Sequence, residues 1–182
     1  SVGDARLFAE SMKYPPLGGR SWGPTFSFGR LGGSSQQAWL EQTNPQVVSI
    51  AMIETRSALE ALDDILAVPG IDAIFVGPSD FSIAWTNGRM INPTLEDMME
   101  VVGQIAARAR AAGKYAGMFV MDPSLTGRYI DMGYRFLALG NEQRYIALGS
   151  EQLLSAARQA AEGAAGGAVD ADPYASSGRS GS

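Results

Sequence analysis

A chain of 182 residues with a net charge of −5 and neither cysteine nor histidine excludes several functional classes at once. The acidic balance argues against nucleic acid as the main partner, no apolar run reaches the roughly 18 residues of a membrane span, and disulfides, thiolate metal sites and histidine-ligated zinc are ruled out. Any metal must be held by oxygen, which points to magnesium, manganese or calcium-like ions, and the expected setting is a cytoplasmic enzyme.

Residues 4–13 read as a short helix with Ala5, Leu7, Phe8 and Met12 apolar, stopped by Tyr14-Pro15-Pro16. Residues 17–33, rich in glycine and aromatics, read as a long loop of the kind that is usually functional or interfacial. Ser34 or Ser35 then caps a helix to about Thr43. The nearly continuous apolar run at 47–53 predicts a parallel strand covered on both faces. Ser57 opens a helix, with Glu60 completing a capping box and Leu59, Leu62, Ile65 and Leu66 on one apolar stripe; Pro69-Gly70 ends it. Residues 73–76 predict a second strand, closed by Gly77-Pro78. Thr94 and Asp97 open a long helix through Ala112, and residues 115–120 predict a third strand. Asp122-Pro123 begins a short helix with proline at its first position. Residues 135–139 predict a fourth strand, and residues 143–162 a last helix. Strands alternating with helices read as βαβ units with a parallel sheet. Residues 1–162 thus form one domain, and residues 163–182, rich in Gly, Ala, Ser and Asp, read as a disordered tail.

In parallel α/β folds the carboxyl ends of the strands carry the ligand site. Glu54 follows the first strand and Asp80 the second, 26 residues later, about one αβ unit. Two carboxylates aimed at one rim can grip a hard cation. Taken singly, Glu54 also reads as an acid at a helix N-terminus, and Asp80 as a cap. Gly77 and the peptide Ser79-Asp80 read as a tight turn with free amides able to receive a carboxylate. Asp122 reads as a helix cap and Glu142 as a first-turn acid. The only lysines are Lys13 and Lys114. Neither is expected at the catalytic rim, which disfavours a Schiff-base mechanism.

The stretches YPPLGGR at 14–20, IET at 53–55 and PGIDAIFVGPSDF at 69–81, with AGK at 112–114 and GYRF at 133–136, resemble the HpcH/HpaI family of metal-dependent (class II) aldolases, typified by 4-hydroxy-2-oxoheptanedioate aldolase. The resemblance runs from about Asp4 to about Leu154. It implies the C-terminal half of a (β/α)8 TIM barrel of the phosphoenolpyruvate/pyruvate type, with strands 5–8 and their helices. It implies Mg²⁺ or Mn²⁺, with Co²⁺ also admitted, bound by Glu54 and Asp80. It further implies that a 2-oxo acid chelates that metal, that its carboxylate meets backbone amides around Ser79 and Asp80, and that the metal stabilises the enolate formed as the C–C bond breaks.

Two departures from the family stand out. Met52 occupies the position where the family usually has a keto-acid-positioning Gln. The family's catalytic His and carboxylate-binding Arg belong to the first four βα units, which this chain is expected to lack, and Arg20 is a poor substitute. The general base is therefore expected in the missing N-terminal half. The function implied is cleavage of a 4-hydroxy-2-oxo acid to pyruvate, or a related keto acid, and an aldehyde. The alternatives are a citrate-lyase-β-like or macrophomate-synthase-like enolate enzyme, or a catalytically incomplete metal-binding remnant. The expected partners are a small 2-oxo acid and further copies of the chain, a hexamer by resemblance, with no nucleic acid or membrane.

Overall fold

The computed structural model describes residues 1–30 and 35–166. The chain divides into two compact units, residues 1–139 and 140–182. In the first, four parallel strands form one sheet in sequence order, β1 (Ile50–Ile53), β2 (Ala73–Val76), β3 (Tyr115–Val120) and β4 (Phe136–Leu139). This is the predicted βα succession.

The register aligns Met52 with Phe75, Phe75 with Gly117, and Gly117 with Phe136. Side chains alternate between faces along a strand, so this row lies on one face and the adjacent row, Ile53, Val76 and Met118, on the other. The second row is fully buried, in one cluster with Leu62, Leu66, Val102 and Ile105. Each such side chain contributes about 1.5–3 kcal/mol by leaving water. These partners come from α5 (Leu62–Leu66) and α7 (Met99–Ala111), so that face is roofed by helices. The first row is open at its two ends, where Met52 is 53% exposed and Phe136 54%, while Gly117 between them is buried beneath the Phe75 and Phe136 rings. The expectation of a first strand covered on both faces is corrected, because no described element of the first unit roofs Met52.

The strand starts are tied together from below. Lys13, just after α1 (Val2–Met12), is buried. Its Nζ donates to Asn44 O at 3.1 Å, to Val47 O and to Asp72 Oδ2 at 2.8 Å. Asp72 also accepts from the Ser49 amide at 2.7 Å. Val47 and Ser49 are therefore held in this network, and β1 begins at Ile50 rather than 47.

Within the predicted loop, residues 25–30 form a short helix, α2 (Thr25–Arg30). Ser35 caps α3 (Gln36–Gln46), accepting from Ala38 N at 3.1 Å; Ser34 lies outside the described residues. The helix expected from Ser57 is instead capped by Thr55, whose Oγ1 accepts from Ala58 N at 3.1 Å. It is interrupted at Ala61, giving α4 (Arg56–Glu60) and α5. The turn expected at 77–80 is the start of α6 (Pro78–Trp85). A 3-10 turn precedes α7, and Asp122 accepts from Ser124 N at 2.9 Å ahead of α8 (Thr126–Met132), acting as the predicted cap.

In the second unit, α9 (Glu142–Gly166) has Glu142 in its first turn and Asn141 Oδ1 accepting from Arg144 N at 3.0 Å. It runs four residues into the segment read as a tail; residues 167–182 lie outside the described residues. No helix among the described residues is long and apolar enough to cross a membrane.

Candidate metal and keto-acid site

Glu54 leaves β1 directly, in the same alternation as Met52, so its side chain belongs to the open face. Continuing the register by one step sets Glu54 beside Gly77, the N-cap of α6. A Cβ at residue 77 would stand 2.7 Å from Glu54 Oε2. The carboxylate therefore occupies the space a side chain at 77 would fill. Asp80 sits in the first turn of α6, exposed, and its negative charge reaches Glu54. Partial burial raises the Glu54 carboxyl above the ordinary range, and the Asp80 charge raises it further. The Glu54 carboxylate is thus less comfortable ionised beside the Asp80 charge until a cation joins them.

α6 orients Asp80. Proline at its first position has no amide to leave unpaired. The amides of Ser79 and Asp80 fall in the first turn, where helix geometry provides no acceptor. Ser79 O accepts the buried Ser82 hydroxyl at 2.7 Å, which ties this turn down. The other end of α6 is held by Arg56, which sequence reasoning did not single out. Arg56 Nε donates to Ala84 O at 2.9 Å and Nη2 to Trp85 O, with the guanidinium 5.1 Å from the centre of the Trp85 ring. A cation directly after the Glu54-Thr55 pair and an aromatic ending α6 were the only signals in the chain; their meeting is a long-range fact.

Of the predicted site residues, Glu54, Gly77, Ser79 and Asp80 come together at the carboxyl end of β1 and β2. Met52 lies on the same face as Glu54, and both line an open cleft of about 310 Å³ along the outer edge of β1. Arg20 is placed elsewhere: it lies 5.0 Å over the Tyr14 ring, beside Lys13 at the opposite end of the sheet. Lys114 Nζ donates to Ile71 O at 2.7 Å, also at that end. Both lysines are thus remote from the carboxylates.

The donor set suits a hard cation, since it consists of carboxylate oxygens with a cradle cleared for one of them. Among the described residues no group of three or more His, Cys, Asp or Glu converges. Two carboxylates leave most of the roughly six positions around such a cation to water and a chelating ligand.

The HpcH/HpaI aldolase/citrate lyase family profile matches residues 2–147. A 2-dehydro-3,6-dideoxy-6-sulfogluconate aldolase from Pseudomonas putida is 34% identical over 163 residues, covering 88% of this chain and 62% of its own. A 4-hydroxy-2-oxo-heptane-1,7-dioate aldolase from Klebsiella pneumoniae is 31% identical over 150 residues, covering 82% of this chain and 56% of its own. The crystal structure of the HpcH/HpaI aldolase from Desulfitobacterium hafniense DCB-2 superposes with a TM-score of 0.72 at 27% identity, covering 84% of this chain and 60% of that one. This chain spans about three fifths of the length of such relatives, and its four-stranded sheet corresponds to part of their (β/α)8 barrel. The chain belongs to the HpcH/HpaI aldolase/citrate lyase family.

Proposed function

We propose that these residues form the metal- and keto-acid-binding rim of a carbon–carbon lyase that cleaves a 4-hydroxy-2-oxo acid to pyruvate, or a related 2-oxo acid, and an aldehyde. The observation that carries this reading is the Glu54 carboxylate seated against Gly77, the N-cap of the helix whose first turn holds Asp80. Both relatives described above are named as aldolases of oxo acids.

Glu54 and Asp80 would hold a divalent cation, Mg²⁺ or Mn²⁺. Such an ion, when bound, supplies Lewis acidity to a 2-oxo group. The protein's own contribution is positional. The first-turn amides of Ser79 and Asp80 offer donors, and the positive end of α6 an attractive field, to the substrate carboxylate. Met52 and Phe75 present an apolar wall on the same face. With no histidine in the chain, proton transfer is assigned to the part of the barrel that the relatives possess in addition.

Calorimetric titration with Mn²⁺ tests the site. Glu54→Ala and Asp80→Ala should each abolish measurable binding, because one carboxylate is too few for a hard cation. Pyruvate should bind the wild-type chain only with Mn²⁺ present. Wild-type Mn²⁺ affinity in both variants sinks the assignment.

A further inference from the structure

We infer that Gly77 is a positioning residue for the Glu54 carboxylate; this rests on the metal reading above. Residue 77 has φ −90° and ψ 93°, a conformation open to any amino acid. Backbone freedom therefore does not require glycine here. Space does: a Cβ would lie 2.7 Å from Glu54 Oε2, while Cβ and Cδ of Glu54 stay at 3.6 and 3.8 Å. Only the tip of the acid collides. Residue 77 thereby sets where that tip rests.

The location gives this steric fact its consequence. Gly77 is the register neighbour of Glu54 and the N-cap of the helix that carries Asp80 three residues later. It lies between the two acids along the chain and beneath one of them in space. A methyl group at 77 leaves the fold nearly untouched, because the clashing atom ends a flexible side chain. It must nevertheless turn the Glu54 carboxylate off its resting place, changing its alignment with Asp80. Disturbing the surroundings that orient a metal ligand typically weakens metal affinity about 10- to 100-fold.

The test uses the full 182-residue chain, with free Mn²⁺ read by electron paramagnetic resonance and unfolding followed in parallel. Gly77→Ala should weaken Mn²⁺ binding about 10- to 100-fold with an unchanged thermal midpoint. Glu54→Asp, one methylene shorter, should weaken binding alone. Adding Gly77→Ala to it should cost nothing more, because the shorter acid does not reach the new methyl. Wild-type affinity in Gly77→Ala, with binding lost in Glu54→Ala, overturns the inference while leaving the metal site standing. Additive losses in the double variant, or a lowered midpoint shared by both Gly77→Ala chains, mark general damage and also overturn it. Wild-type binding in Glu54→Ala overturns the metal reading itself, and this inference with it.

Discussion

Two glycines on the open face each make room for a neighbouring side chain. Gly77 clears Glu54. Gly117 clears the Phe75 and Phe136 rings, since a Cβ there would meet Phe75 Cδ2 at 2.6 Å and Phe136 Cδ1 at 3.1 Å, and without it the ring centres stand 5.9 Å apart. Also on this face, Met52 stands where the resemblance leads one to expect a keto-acid-positioning Gln. With Mn²⁺ present, Met52→Gln should tighten pyruvate binding about fivefold, roughly the 1 kcal/mol of one added hydrogen bond. Unchanged or weaker binding by calorimetry would show that position 52 does not face the keto acid.

At the opposite end, Asp72 meets Lys13, whose side chain is 3% exposed against 40% for Asp72. Burial alone would raise the Asp72 carboxyl. Hydrogen bonds from Lys13 and the Ser49 amide, with the charges of Lys13 and Lys114, outweigh burial and hold it below the ordinary range. A depressed folded pKa stabilises above the unfolded value, near 3.8, and that contribution is lost as pH falls through the folded value. Asp72→Asn should therefore lower unfolding stability by about 2 kcal/mol at neutral pH. This is less than the roughly 3–5 for a fully buried pair, because Asp72 is partly solvated. Urea unfolding near pH 3 should show the difference shrinking; an equal loss at both pH values removes the electrostatic account.

Among the elements, α6 carries Asp80 in its first turn, and it is held at both ends. Arg56→Ala removes two hydrogen bonds to its last carbonyls and the contact with Trp85. Allowing for the exposure of Arg56, the cost is about 1–2 kcal/mol. Amide exchange in residues 81–86 should quicken while that of β3 does not. Uniform exchange across both would mean that Arg56 stabilises the whole fold rather than this helix. The βα rhythm was legible because buried strands are short apolar runs punctuated by Gly and Pro, and 73–76 and 115–120 match to the residue. The misread boundaries have tertiary causes. Val47 reads as strand, yet its carbonyl is taken by Lys13. Ser57-Ala58-Leu59-Glu60 fits a capping box, but Thr55 takes the cap first. The placement of Glu54 beside Gly77 at successive strand ends could be anticipated from one αβ repeat, whereas Arg56 reaching Ala84 and Trp85 crosses 28 and 29 residues without any periodic signal.

At the scale of the whole molecule, the decisive feature is the face the helices do not roof. Parallel sheets are ordinarily covered on both sides. Here Met52, Tyr115 and Phe136 are 53%, 67% and 54% exposed, and among the described residues β1 and β4 each pair on one side only. Bare apolar surface and unpaired strand edges favour association. The purified 182-residue chain should therefore enhance the fluorescence of a hydrophobic dye and show a mass by light scattering that grows with concentration. Catalysis should fail for a separate reason. On the proposed reading Glu54 and Asp80 are both committed to the cation, Lys13 and Lys114 are spent at the far end, and the chain has no histidine to move a proton. A lactate-dehydrogenase-coupled assay with Mg²⁺ or Mn²⁺ should then detect no pyruvate released from 4-hydroxy-2-oxo acids. Robust turnover that vanishes in Asp80→Ala would prove these four βα units sufficient for the reaction. It would also place the proton-transferring group on the open face itself.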